Sequence, residues 1–196
     1  MEQTPQNPPF PPFTKGGVKN PQDILDFWFG AAADKWWLHD PDFDAEIRRR
    51  FEPTLQAAAR GELESWRGQP ESCLAYVLLL DQFSRNIYRD TPQAFAQDSR
   101  ALAASLEGQR RGFDESLPPK QRIFFYMPMM HAEDREIQAR CLDAFRRWGG
   151  EDNLDYARRH AEIIERFGRF PHRNKILGRE STPEEIEFLK GPNSSF

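Results

Sequence analysis

Two cysteines in 196 residues are too few for a disulfide framework, and neither Cys73 nor Cys141 has a second thiol nearby. Both sit beside or within helical apolar patterning, so they are expected to be buried thiols of a reducing compartment. Nothing at the start combines a basic n-region with an apolar h-region, and no apolar run approaches the roughly 20 residues of a membrane helix. The expectation is a cytoplasmic protein without a membrane partner. Neither sign of charge dominates either: 27 Lys and Arg against 31 Asp and Glu leave a formal net charge of −4, which argues against a broad nucleic-acid surface. Also missing are period-2 alternation over any useful length, a glycine-rich phosphate loop, a G-x-S-x-G elbow and a dinucleotide fingerprint. Strands and the common nucleotide or nucleophile motifs are thereby excluded from the reading.

What is present is helical punctuation. Asn20-Pro21, Asp40-Pro41, Thr91-Pro92 and Thr182-Pro183 each place a capping side chain before a proline at the first helical position. Between them the apolar residues recur every three or four positions. Phe43, Ile47, Phe51 and Leu55 mark one helix, which Pro53 is expected to kink or split. Pro92 to about Arg110 reads as another. Lys120 to Met127 is interrupted by Pro128, and Ile137 to Trp148 ends at Gly149-Gly150. Leu154 to Phe167 carries His160 on its apolar arc, and a short helix runs from Pro183 to about Lys190. Gly30 is expected to stop the first helix.

The centre is Leu74 to Arg89. Seven apolar residues, Leu74 to Leu80, predict a helix buried on every side, and the chain then turns abruptly polar at Asp81, Gln82, Arg85 and Asn86. Residues 1–19 hold prolines 5, 8, 9, 11 and 12 and no apolar period, predicting a disordered proline-rich tail; residues 20–196 read as a single all-helical domain. Short connections favour an antiparallel helix-pair array or bundle. No 34-residue repeat pattern is found.

Three polar clusters break the apolar segments: Asp81-Gln82 with Arg85-Asn86, then His131 with Glu133-Asp134, then Phe167 to Arg179 with Arg169, His172, Arg173 and Asn174. From Arg158 to Arg179 there are six arginines, one lysine and two histidines against two glutamates. Guanidinium forks beside a Gly-Pro turn suit a phosphate or carboxylate. The same arginines also suit helix C-termini and neighbouring carboxylates, and Asp81 with Arg85, four apart, makes a simple helical ion pair. His131, Glu133 and Asp134 lack the two-histidine spacing of a zinc protease, so no metal and no cofactor are expected.

The stretches LLLDQFSRNIYR, FFYMPMMHAED and YARRHAEIIERFGRFPHRNKILGRESTPEEIEFL together resemble the bacterial family catalogued as domain of unknown function 924. The resemblance covers about Gln22 to Phe196 and implies a tetratricopeptide-like, all-helical fold. It departs from the family at Ser84, where relatives often carry proline, and at Ala132, where serine is frequent. The function expected from the residues is binding of a small anionic ligand, with or without catalysis, by Asp81, Gln82, Arg85, Asn86, His131, Arg169, His172, Arg173 and Asn174. The alternative is a tetratricopeptide-like module whose concave surface holds an acidic peptide. Nucleic acid ranks third, since only Phe167 and Phe170 interleave with the basic residues.

Overall fold

Capping side chains begin three of the four proline-marked segments as expected. In the computed structural model, which describes residues 17–192 and 194–195, Asn20 and Asp23 exchange side-chain and backbone bonds at 3.0 and 3.1 Å to open α1, Pro21–Asp26. Asp40 accepts from Asp42 and Phe43 to open α2, Pro41–Ala59. Thr182 and Glu185 form the same reciprocal box at the last helix, Pro183–Phe188. Thr91 is different. Its hydroxyl turns back to the Tyr88 carbonyl at 2.7 Å, so it caps nothing; Pro92–Phe95 is a single 3-10 turn and the α-helix starts only at Asp98. Gly30 likewise fails to stop the first segment, which continues as a π-turn over Phe27–Ala31.

Neither internal proline splits its helix. α2 runs unbroken through Pro53 because residues 51–58 are all buried, and packing around that half of the helix offsets the lost hydrogen bond, worth about 3 kcal/mol with its clash. Beyond it, α3 (Pro70–Leu78) passes through a π-turn, Leu79–Phe83, into α4 (Ser84–Ile87). Leu74 to Leu80 have no exposed surface, so the central helix is enclosed as the apolar run requires. α5 (Asp98–Arg110) and α6 (Phe113–Ser116) lead to α7 (Pro119–Met130). Pro128 lies inside α7 without interrupting it, with only two residues of the helix still to come.

Asp134 caps α8 (Arg135–Trp148) by accepting from Ile137 at 2.9 Å. One residue, Gly149, joins it to α9 (Gly150–Phe167). A Cβ on Gly149 would lie 2.3 Å from the Phe145 ring, and Gly150 takes a φ of +73°, so this reversal needs both glycines. It makes α8 and α9 a tight antiparallel pair, and α7 packs on α8. α10 is the helix of Pro183–Phe188.

The described residues form an all-helical array with no strand. Its main core gathers Trp28, Phe43, Phe51, Phe83 and Phe124 around the central helix, with Trp28 edge-on to Phe124 at 5.6 Å. A second cluster, Tyr126, Met129, Cys141, Phe145 and Leu154, joins α7 to the α8–α9 pair; a third, Ile163, Ile164 and Phe170, closes its far end. No described helix is long and apolar enough to cross a membrane. Both cysteines are free and buried. The expected tail lies outside the described residues up to position 16; Lys19 is tied to the body, its backbone N–H donating to Thr54 at 2.8 Å.

Candidate functional site

The π-turn at Leu79–Phe83 sits where the central helix leaves the core. A π-turn inserts one residue into the helical ladder and recurs at functional sites because it re-aims side chains locally. Here it carries Asp81, 1% exposed, and Gln82, 8% exposed. Burial alone would raise the Asp81 pKa. Arg85 Nη1 at 3.1 Å, His131 Nδ1 at 2.7 Å and Gln82 Nε2 at 2.6 Å outweigh burial and hold the carboxyl well below the usual carboxylate range. Asp81 is therefore an ionised carboxylate enclosed by the protein.

Arg85 faces two carboxylates. It donates to the Asp81 carbonyl at 2.7 Å and forks onto Asp98, the first residue of α5, with both bonds at 3.0 Å. Arg173 arrives from the other side, 6% exposed, its guanidinium over the rings of Phe95 and Phe170 at 4.7 and 4.5 Å. Among the described residues the guanidinium has one polar contact, Nη1 to Asp98 Oδ2 at 3.4 Å, and its Nε has no hydrogen-bond partner. Burial, followed by the charge of Arg85, lowers the Arg173 pKa to about 10.

Three histidines border these charges. His131 ends α7, and its ring lies 6.2 Å from that of His160. His160 places Nδ1 2.8 Å from the Tyr156 carbonyl and packs edge-on to Phe170, which in turn lies 5.6 Å from His172. All three are pushed toward the neutral form: His160 to about 3 by burial and then His131, His172 to about 4 by burial and then Arg173, and His131 downward by burial and then Arg85. Among the described residues no three His, Cys, Asp or Glu side chains are grouped to hold a metal ion.

The loop that delivers Phe170 and Arg173 is held by a clamp. Gly168 leaves α9 at a φ of +70°. Glu133 then accepts the Phe170 N–H at 2.8 Å and both guanidinium nitrogens of Arg179, at 2.6 and 3.0 Å. Asn174 accepts from Arg179 and donates to Ser181 and Glu185, while Arg169 forks onto Glu185 at 2.7 and 2.8 Å.

The structure thus brings Asp81, Gln82, Arg85, His131, His172 and Arg173 together. It places Arg169 and Asn174 in the framework beneath the loop, and turns Asn86 of α4 toward α2, where it donates to Asp44 beside Arg89. Asp98, Phe95 and His160 join the group without having been candidates in the sequence. His160 had a signal in its place on the apolar arc of its helix. Asp98 had none, because its helix reads as starting six residues earlier. Two surface clefts lie elsewhere, one lined by Arg67, Glu107 and Arg111 and one by Asp44, Arg48 and Arg89; Arg67 pairs with Glu107, and Arg89 with Asp44.

The sequence profile of a family described as bacterial protein of unknown function (DUF924) matches residues 24–193, from within α1 to past α10, and takes in every residue of the cluster. No curated protein matches the chain significantly. A solved structure of a protein of unknown function from Agrobacterium tumefaciens is similar at 46% sequence identity, covering 87% of this chain and 97% of that one with a TM-score of 0.84.

Proposed function

The chain belongs to this bacterial family of unknown function, and from that premise we propose that it binds a small phosphate- or carboxylate-bearing anion at Arg85, Arg173 and His172, beside His131. One observation carries the reading: Arg173 is a buried guanidinium whose Nε is unsatisfied among the described residues, and its carboxylate partner is already engaged through both oxygens by Arg85. Leaving a buried donor unmade costs about 1–3 kcal/mol, more for a charged one, and an incoming anion removes that cost. It also relieves the repulsion between the two guanidiniums.

Enclosure favours a small ligand over an acidic peptide. Arg173 is 6% exposed and the His131 side chain 15%, whereas a peptide groove presents its clamps to solvent. The free buried thiols support a reducing, cytoplasmic setting. We take residues 20–196 to fold as one unit, since Ile123 packs against both larger apolar clusters.

Isothermal titration with inorganic phosphate tests the reading. Wild type is expected to bind, and Arg173→Gln to bind at least about tenfold more weakly, a loss of about 1.4 kcal/mol. Equal affinity in the two proteins would overturn it.

A further inference from the structure

Asp81 and His131 stand in the relation of an orienting carboxylate to a base. Nδ1 of His131 lies 2.7 Å from Oδ1 of Asp81, and that carboxylate is kept ionised by Arg85 at 3.1 Å. A carboxylate oxygen only accepts, so the neutral imidazole must carry its proton on Nδ1 and its lone pair on Nε2. Exposure separates the two partners. Asp81 is sealed, with its side chain 1% exposed, while the imidazole is 15% exposed and is the more accessible member of the pair. The same Arg85 that fixes Asp81 also forks onto Asp98, whose Oδ2 is, among the described residues, the one polar partner of the Arg173 guanidinium. The base and the unsatisfied guanidinium are therefore joined through Arg85 and Asp98.

We propose that His131 is a general base, positioned by Asp81, for hydrolysis of a small anionic ester seated at Arg173. The inference rests on the anion-binding reading and adds a reaction to it. A water oxygen attacks the phosphorus or acyl carbon while its proton passes to Nε2 of His131. The bond from that centre to the alkoxy oxygen breaks, and the departing oxygen takes the proton back from the imidazolium. One water is consumed, one alcohol and one free acid are formed, and the imidazole returns to its neutral state. No oxidant or reductant enters. In this scheme the guanidinium of Arg173, a cation whose Nε has no hydrogen-bond partner among the described residues, meets the charge developing on the attacked centre. Asp81 acts through the ring by fixing which nitrogen is bare.

The test uses the full chain with p-nitrophenyl phosphate and p-nitrophenyl succinate as probes. Wild type is expected to hydrolyse one of them, His131→Gln to be slower by about 100-fold or more, and His39→Gln to be unchanged. Asp81→Asn is expected to lower the rate and to change the pH profile, a readout that a merely structural role leaves alone. Because Asp81→Asn removes a buried charge and can fail to fold, nitrogen NMR of wild-type histidine provides a second measurement, with the His131 signal assigned by its loss in His131→Gln. At pH 7 it should show Nδ1 protonated and Nε2 bare. A protonated Nε2, or no hydrolysis of either ester, would overturn the proposal. If phosphate binds as described above but neither ester is cleaved, the catalytic inference fails alone. If an ester is cleaved through His131 while phosphate binding ignores Arg173, the anion reading fails and the base stands.

Discussion

Arg85 and Arg173 converge on one oxygen, Asp98 Oδ2, at 3.0 and 3.4 Å. The nearer guanidinium also satisfies Asp81 and takes the second Asp98 oxygen; the farther keeps a nitrogen without a partner among the described residues. The two arginines look alike in the sequence and differ in what their removal should do.

Arg85→Gln should be strongly destabilising. It strands Asp81, a buried carboxylate that its charge keeps ionised, and loss of one partner of a buried pair costs about 3–5 kcal/mol. Urea unfolding of the variant checks this, and a loss below about 1 kcal/mol would show that His131 and Gln82 suffice to hold Asp81.

Acid should weaken the fold well before Asp81 itself titrates. His131, His160 and His172 have pKa values pushed below the unfolded value of about 6.5, so the unfolded chain takes up protons that the folded chain refuses. Stability is full above about pH 6.5 and falls as pH drops toward the folded values, about 4 for His172 and about 3 for His160. Each histidine contributes a slope of about 1.4 kcal/mol per pH unit within its window. Asp81, whose pKa is lowered like those of the histidines, adds a further loss only below its unfolded pKa of about 3.9. Urea unfolding at pH 7, 6, 5 and 4 should show this descent, with His160→Gln less steep by about one proton. A flat profile would contradict it.

Glu133→Ala should free the loop without touching the cluster directly. It removes the acceptor of the Phe170 N–H and the partner of Arg179, at an expected cost of about 1–3 kcal/mol. Hydrogen exchange should rise across residues 168–179 and phosphate affinity should fall. Unchanged exchange in that segment would remove Glu133 from its role as the clamp.

Much of this fold is legible in the chain because its signals are local. The cap at Asn20 and the one at Thr182 each need only residues within three positions, and the enclosure of Leu74 to Leu80 follows from seven apolar side chains in a row. That neither Pro53 nor Pro128 breaks its helix was not legible, for the opposite reason: whether a proline breaks a helix depends on what packs around it, which is set by distant segments. Thr91 has the right composition for a cap but spends its hydroxyl on Tyr88. At the site, Asp81, Arg85, His131 and Arg173 stand out as polar groups at the ends of apolar segments. Arg169 and Arg173, four apart in one loop, are not separable by sequence, since Glu185 claims one and Asp98 barely reaches the other.

Arg173 supplies the most direct measurement. Arg173→Met removes the charge and the unused donor while keeping an unbranched side chain to lie between Phe95 and Phe170. Thermal unfolding of wild type and variant, with and without inorganic phosphate, separates a ligand group from a scaffold group. The account predicts that phosphate raises the wild-type melting temperature by mass action, by about 2.7 kcal/mol of stability at one hundred times the dissociation constant, and leaves Arg173→Met unmoved. An equal rise in both proteins, or no rise in either, would contradict it.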